Sequence, residues 1–260
     1  MTPGAPGQPT HGSGRFHTTH WSLILSSLEV EPGDRQAREA LAQICRTYWR
    51  PVFAFICRKG HRIPDAQDLT QDFFMMLLKG NLLKRADRSR GRFRSLLLAA
   101  LQNFLIDAHD KSRAQKRGGE VQFVAWDDWM AEAPSQLSIP AAAIDHWPAE
   151  ILFDVRWAAT VAERALRRLL EECESHGRRR IFDALSGVLT AEREDVSYSA
   201  LARELGVEEP KIKPLLHKMR QRYRELLRAE VAATMDDPAD IDDELRHLCS
   251  ALAASLSYET

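Results

Sequence analysis

Two groups of basic residues bracket an apolar stretch and are spaced to bind phosphate. The stretch LLLAALQNFLIDA covers residues 96–108, and between Lys84 and Arg117 ten Lys or Arg stand against three Asp. Cations at both ends of a helix neutralise nucleic-acid phosphates without reading the bases. A solvated, basic helix end is the simpler alternative. The bracketing cations are Arg90, Arg92 and Arg94 before the stretch, and Lys111, Arg113, Lys116 and Arg117 after it.

A second basic block lies closer to the C-terminus. From Lys211 to Arg228 there are seven Lys or Arg and one Glu. Residues 119–155 hold seven acids and no Lys or Arg, and residues 230–260 hold eight acids and one Arg. The formal net charge of −1 indicates no partner, but this segregation favours nucleic-acid binding. Two solvated helix faces would explain the same pattern.

Residues 197–220, SYSALARELGVEEPKIKPLLHKMR, have the spacing of a helix-turn-helix. The motif needs a small residue where two helices cross, a residue tolerant of positive φ in the turn, and a branched apolar residue in the second helix. Ala202, Gly206 and Ile212 fill these places, although an ordinary helical hairpin is the alternative. The second helix would enter the major groove of DNA. The side chains expected to face DNA are Lys211, Lys213, His217, Lys218, Arg220 and Arg222.

Two prolines interrupt this second helix. Pro210 falls in its first turn, where proline is tolerated, whereas Pro214 removes a backbone N–H from the interior at a cost of about 3 kcal/mol. The sequence therefore predicts that the helix either kinks or begins late, near Lys213.

Apolar periodicity predicts helices and no strand, so the expected fold class is all-α with two helical domains. One helix is expected from Asp34 to Trp49, and Pro51 is expected to begin the next. The acidic, proline-containing stretch at residues 118–149 is expected to be a linker that docks through Trp126, Trp129 and Trp147. The expected organisation is a disordered tail (1–14), a first helical domain (15–117), a linker (118–149), a second helical domain with the helix-turn-helix (150–233) and an acidic C-terminal helix (234–260).

The segment DAQDLTQDFF, residues 65–74, places three acids on one helix face. Asp65, Asp68 and Asp72 fall within about 60° of one another at roughly 100° per residue. Such a face suits a basic helix of a partner. Metal binding is not favoured, because DxxD with no nearby His or Glu is a poor cage. Compensation of the helix dipole explains Asp65 and Asp68 but not Asp72.

Three segments together resemble an RNA polymerase sigma factor of the sigma-70 family, of the extracytoplasmic-function (ECF) type. DAQDLTQDFF resembles region 2.2, GRFRSLLLAALQNFLIDAHDKSRAQKR resembles regions 2.3 and 2.4, and SYSALARELGV with HKMRQRYRELLR resembles region 4.2. THWSLIL and YWRPVFAFICRKG point to the large branch found in planctomycete-type bacteria. The likeness covers roughly residues 15–117 and 150–233, in the order of the family.

The resemblance implies a transcription-initiation factor rather than an enzyme, with no catalytic residue, metal or cofactor. Its partners would be core RNA polymerase, through clamp and flap, and promoter DNA. An anti-sigma factor or a Ser/Thr kinase acting at Thr70 would control it. The polymerase-binding residues would be Asp65, Gln67, Asp68, Gln71, Asp72 and Phe73. The minus-ten element would be opened by Phe93 and Asn103 with the bracketing cations, and the minus-thirty-five element would be bound by the helix-turn-helix cations. The family often has an aromatic residue where Leu96 stands.

Other features exclude several alternative classes. His17 and His20 have no acidic third ligand in reach, so a metal site is not favoured. Four cysteines without a CxxC pair suggest reduced thiols, and no apolar run is long enough for a membrane span, so a cytoplasmic protein is expected. The alternative function is a two-domain helix-turn-helix regulator that binds DNA without engaging polymerase.

The acidic C-terminal segment is expected to form a helix that docks through an apolar stripe. Leu245, Leu248 and Leu252 make this stripe. Docking beside the second basic block would let the acids compete with phosphate. A structural cap on the last domain is the alternative.

Overall fold

The computed structural model describes residues 35–78, 93–112, 147–191, 194–234 and 238–257. These residues form helices and turns and contain no strand, which confirms the all-α fold class. The tail expected at residues 1–14 and residues 118–146 of the expected linker lie outside the described ranges. In chain order the helices are α1 (Arg35–Arg58), α2 (Ile63–Leu78), α3 (Phe93–Ser112), α4 (Ala149–Ser175), α5 (Arg179–Ser186), α6 (Tyr198–Leu205), α7 (Glu209–Ala232) and, after a 3-10 turn at Pro238–Asp240, α8 (Ile241–Ser257).

Helix α1 runs unbroken through Pro51. The expectation that a new helix begins at this proline is wrong, because Pro51 lies inside a helix of 24 residues. Proline in a helix interior costs about 3 kcal/mol. Tyr48, Val52 and Phe55 on either side of it are almost fully buried, and each buried side chain of this size contributes about 1.5–3 kcal/mol. Burial of one continuous apolar stripe therefore outweighs the lost hydrogen bond.

Helix α4 belongs to two hydrophobic cores. Phe153, Trp157 and Val161 are buried in a first core with α1, α2 and α3, whereas Ala165 and Leu169 are buried in a second core with α5, α6 and α7. These five residues recur every four positions, so each lies about 40° further round the helix than the one before it, and the buried stripe winds from the first core to the second. The sequence assigned all of α4 to the second domain, but its first half packs in the first core.

Trp147 anchors the chain just before α4. Its side chain is 2% exposed and packs with Leu152 and Val155, and the Arg58 Nε donates a hydrogen bond to its carbonyl oxygen at 2.6 Å. The expected docking of this tryptophan is confirmed. Trp126 and Trp129 lie outside the described residues.

A part-buried ion-pair network ties α4 to α7. Arg164 Nε and Arg168 Nη1 each donate a hydrogen bond of 2.8 Å to the carboxylate of Glu230. Burial raises the pKa of this carboxyl, but the two arginines outweigh burial and hold the pKa below its ordinary value of 4.5. Glu230 is therefore charged at neutral pH and fixes the crossing of the two helices.

Replacing Glu230 by glutamine is expected to lower the free energy of unfolding by about 1.5–3 kcal/mol at neutral pH, the range for hydrogen bonds to charged groups. Since the folded pKa is depressed, this stabilisation is present above the unfolded pKa and is lost as pH falls through the folded pKa. Urea unfolding at about pH 7 and about pH 3 should show the gap between wild type and variant shrinking at the lower pH. Glu171→Gln, at an exposed site on α4, is the control. A gap of equal size at both pH values would contradict the prediction.

Candidate nucleic-acid interface

Helices α6 and α7 form the turn that the sequence predicts. Gly206 caps α6 in the left-handed conformation with φ of 69°, and its N–H bonds the carbonyl oxygen of Ala202. The N–H of Val207 donates to the same oxygen at 3.1 Å. Ala202 is 7% exposed and Ile212 is fully buried. The three residues that define the motif therefore hold their predicted places.

Helix α7 begins at Glu209 and continues through Pro214. The prediction of a late start near Lys213 is wrong. Pro210 lies in the first turn, where the missing N–H has no helical partner to lose. Ile212 and Leu216 are 0% and 2% exposed, so they anchor both turns around Pro214 in the second core.

The buried and exposed residues of α7 occupy opposite sides of the helix. Ile212, Leu216, Met219 and Leu226 form the buried stripe. At roughly 100° per residue, the opposite side is centred between Pro210 and Gln221. The side chains within about 60° of one another on that exposed side are Pro210, Pro214, His217 and Gln221, all of which face solvent.

Several cations of α7 already have partners in the free protein. Arg222 donates to both carboxylate oxygens of Glu172 at 2.7 and 2.8 Å, and hydrogen bonds to Glu172 and Glu225 raise its pKa. Arg220 Nη2 donates to the carbonyl oxygens of Val188 and Ala191 at 2.8 and 2.6 Å. These two arginines, expected on DNA, are held by the protein itself. Lys211 pairs with Glu208 at 3.2 Å, but both side chains are well exposed, so this pair is worth less than about 1 kcal/mol.

The remaining basic residues of α7 are exposed and available. Within the described ranges, Lys213, His217 and Lys218 make no hydrogen bond or ion pair. Arg224 is also exposed and makes no hydrogen bond or ion pair in these ranges. It lies two turns after His217, on the flank of the helix that carries Lys213. Sequence reasoning missed Arg224, although this spacing could have identified it. An open cavity of about 350 Å³ runs along this flank, lined by Tyr198, Lys213, Pro214, Leu216, His217, Arg220 and Arg224.

The three acids of the α2 segment lie on the surface, whereas Phe73 of the same segment does not. Asp68 and Asp72 are exposed, and Asp65 pairs with the exposed Arg62 at 3.4 Å. Gln67 and Gln71 are half-buried. Phe73, expected to bind polymerase, is instead fully buried in the first core.

Thr70 lies on the buried side of the same helix. It is 0% exposed, and its hydroxyl donates to the carbonyl oxygen of Ala66 at 2.6 Å. A kinase cannot reach this hydroxyl in the folded chain, so the expectation of phosphorylation at Thr70 is wrong.

The first basic block divides between surface and core. Phe93 is 7% exposed, with its ring 5.2 Å from that of Tyr48, so it packs the core rather than facing DNA. Asn103 is exposed, and Lys111 lies in the last turn of α3. The other cations of this block, except Arg94, lie outside the described residues: Arg90, Arg92, Arg113, Lys116 and Arg117.

Arg94 sits in a buried network instead of on the surface. Its guanidinium bonds the carboxylate of Asp154 on α4 and, at 3.1 Å, that of Glu244 on α8. The Glu244 side chain is 1% exposed. The guanidinium carbon lies 5.2 Å from the ring centre of Trp157. Burial lowers the pKa of Arg94, but the two carboxylates outweigh burial and raise it above its ordinary value. The expectation that Arg94 contacts DNA is therefore contradicted by its burial.

The acidic C-terminal helix docks, but mainly on the first core. Ile241 and Leu248 are buried there, and Leu245 and Leu252 pack against the same core, which confirms the apolar stripe. Among the residues that the structure describes, its acids reach the second basic block through one ion pair, between Asp242 and Arg228. The remaining exposed cations of α7 are not covered by the described part of the tail.

Comparisons of the chain with protein-family models, with curated proteins and with solved structures return no match. Across the described ranges, no three His, Cys, Asp or Glu side chains form a group able to hold a metal ion. No helix in these ranges has both the length and the apolar character needed to cross a membrane.

Proposed function

We propose that this chain is a sigma factor of the ECF type, which binds core RNA polymerase and directs promoter recognition, DNA melting and transcription initiation. The observation that carries the DNA-binding part of the proposal is the helix-turn-helix of α6 and α7, whose second helix exposes Lys213, His217 and Lys218 without anionic partners in the described ranges. A cationic recognition helix of this kind docks in the major groove. The protein would act in the cytoplasm, with no catalysis or cofactor of its own.

The acidic face of α2 supports the polymerase part of the proposal. Asp68 and Asp72 are exposed on a helix whose other side is buried, so the helix presents both side chains to a partner from the same outward side. Opposite charges on a rigid surface steer and orient a partner. In the family that the chain resembles, this face binds the polymerase clamp.

The alternative is a helix-turn-helix regulator that binds duplex DNA and does not engage polymerase. The helix-turn-helix supports both functions equally, whereas the Asp68 and Asp72 face has a role only in the first. Co-purification with core polymerase distinguishes them, because a regulator of this kind would not be retained.

Binding to promoter DNA is expected to depend on the available cations of α7. Removing Lys213 and Lys218 together by alanine substitution should reduce the slope of log affinity against log salt by about 2, since each lost phosphate contact contributes about 0.9. The matched control is Arg179→Ala with Arg222→Ala, which also removes two charges. Both control arginines already pair with carboxylates, so their loss should leave the slope nearly unchanged. Equal slopes for the two double variants would contradict the distinction between available and paired cations.

A further inference from the structure

The centre of the exposed side of α7 is partly apolar, because Pro210 and Pro214 share it with His217 and Gln221. Pro210 and Pro214 are both exposed and lie one turn apart on the side opposite the buried stripe. Neither side chain has a hydrogen-bond donor or acceptor. A recognition helix that reads bases only by hydrogen bonds would carry amide, guanidinium or carboxylate groups at these places.

Cations flank these prolines on two sides. At roughly 100° per residue, Lys213 lies about 100° to one side of Pro214, and Lys211 and Lys218 lie about 40–60° to the other. The open cavity on the Lys213 flank reaches the ring of Pro214. With α7 in a major groove, the flanking cations would face the two phosphate backbones and the proline ring would face the floor of the groove.

The floor of the major groove has one apolar group, the C5-methyl of thymine. The other base edges present hydrogen-bond donors and acceptors. Burying one of these donors or acceptors against a proline ring leaves it without a hydrogen-bond partner, which is unfavourable. A thymine methyl gains from the same contact.

We propose that Pro214 is a specificity-determining residue that selects thymine, through its C5-methyl group, in the DNA element bound by α7. This inference rests on the proposed function, because it requires α7 to enter a major groove. The ring of Pro214 is exposed on a helix that Ile212 and Leu216 anchor on both sides, so the proline contributes a fixed apolar surface.

Replacing single thymines by uracil tests the proposal, because uracil lacks only the methyl group. Duplexes are first selected from a random pool with the full chain, alone and with core polymerase, and each thymine of the selected element is then exchanged. Wild type should lose about fourfold in affinity at one thymine, the value of about 0.8 kcal/mol for one buried methyl group. Pro214→Ser should bind thymine and uracil equally at that position. This variant removes a proline from a helix interior, so it is expected to fold.

Two control variants separate the contact from general effects. Lys218→Ala should lower affinity and salt slope but keep the fourfold preference, and Pro64→Ser, an exposed proline on α2, should change neither. If no thymine is sensitive, or if Pro214→Ser keeps the sensitivity, the inference is overturned while the proposed function stands. If no duplex is selected under either condition, the proposed function and the inference fail together.

Discussion

Exchanging Asp68 and Asp72 for lysine is expected to weaken binding to core RNA polymerase by at least about 100-fold. Like charges brought together at an interface cost several kcal/mol, and about 2.8 kcal/mol is already a factor of 100. Both side chains are exposed on α2, so the fold should persist and stability should change by less than about 1 kcal/mol. Binding is measured by titrating labelled protein with purified core enzyme, and helicity is checked by circular dichroism.

The matched control is Glu171→Lys with Glu194→Lys. These acids are exposed in the second half of the described chain, and the substitution changes the charge by the same amount. This control should bind core enzyme as wild type does. Equal weakening of both double variants would indicate a non-specific charge effect, and wild-type binding by a folded Asp68, Asp72 variant would exclude this face.

The second large effect is on stability. Arg94→Met is expected to lower the free energy of unfolding by about 3–5 kcal/mol, because it removes the cation that pairs with the buried carboxylate of Glu244 and with the part-buried carboxylate of Asp154. Denaturant unfolding measures the loss.

A rescue and a control make this result specific. Adding Asp154→Asn and Glu244→Gln to Arg94→Met should recover most of the lost stability, since no uncompensated charge then remains. Arg62→Met removes an arginine that is 85% exposed in its pair with Asp65 and should cost less than about 1 kcal/mol. Unchanged stability in Arg94→Met, with weaker DNA binding, would indicate that Arg94 belongs to the DNA-binding surface instead.

Local patterns predicted the parts of the fold that depend on neighbouring residues. The helix-turn-helix followed from Ala202, Gly206 and Ile212, because a crossing, a left-handed turn and a core contact are all set within eleven residues. The apolar stripe of α8 was equally readable. Pro51 was misread, because a local rule for helix starts does not include the burial on both sides that keeps α1 continuous.

The candidate site was less predictable where distant segments decide burial. The partners of Arg94 lie 60 and 150 residues further along the chain, so its sequence neighbours give no sign that it is buried. Arg220 is similar, because the carbonyl oxygens that hold it come from the turn after α5. Phe73 and Phe93 belong to motifs with a functional resemblance, but their aromatic side chains fill the first core.

If this chain is a sigma factor, it gives core RNA polymerase its promoter specificity, which transcription in vitro measures. Purified core enzyme is supplied with a template library, with and without the chain, and transcript starts are mapped. We expect defined start sites only when the chain is present. They should be lost with the Asp68→Lys, Asp72→Lys variant and retained with the Glu171→Lys, Glu194→Lys control. Sequence-specific duplex binding by the chain, without any defined start site in the presence of core enzyme, would contradict this expectation and would favour the regulator.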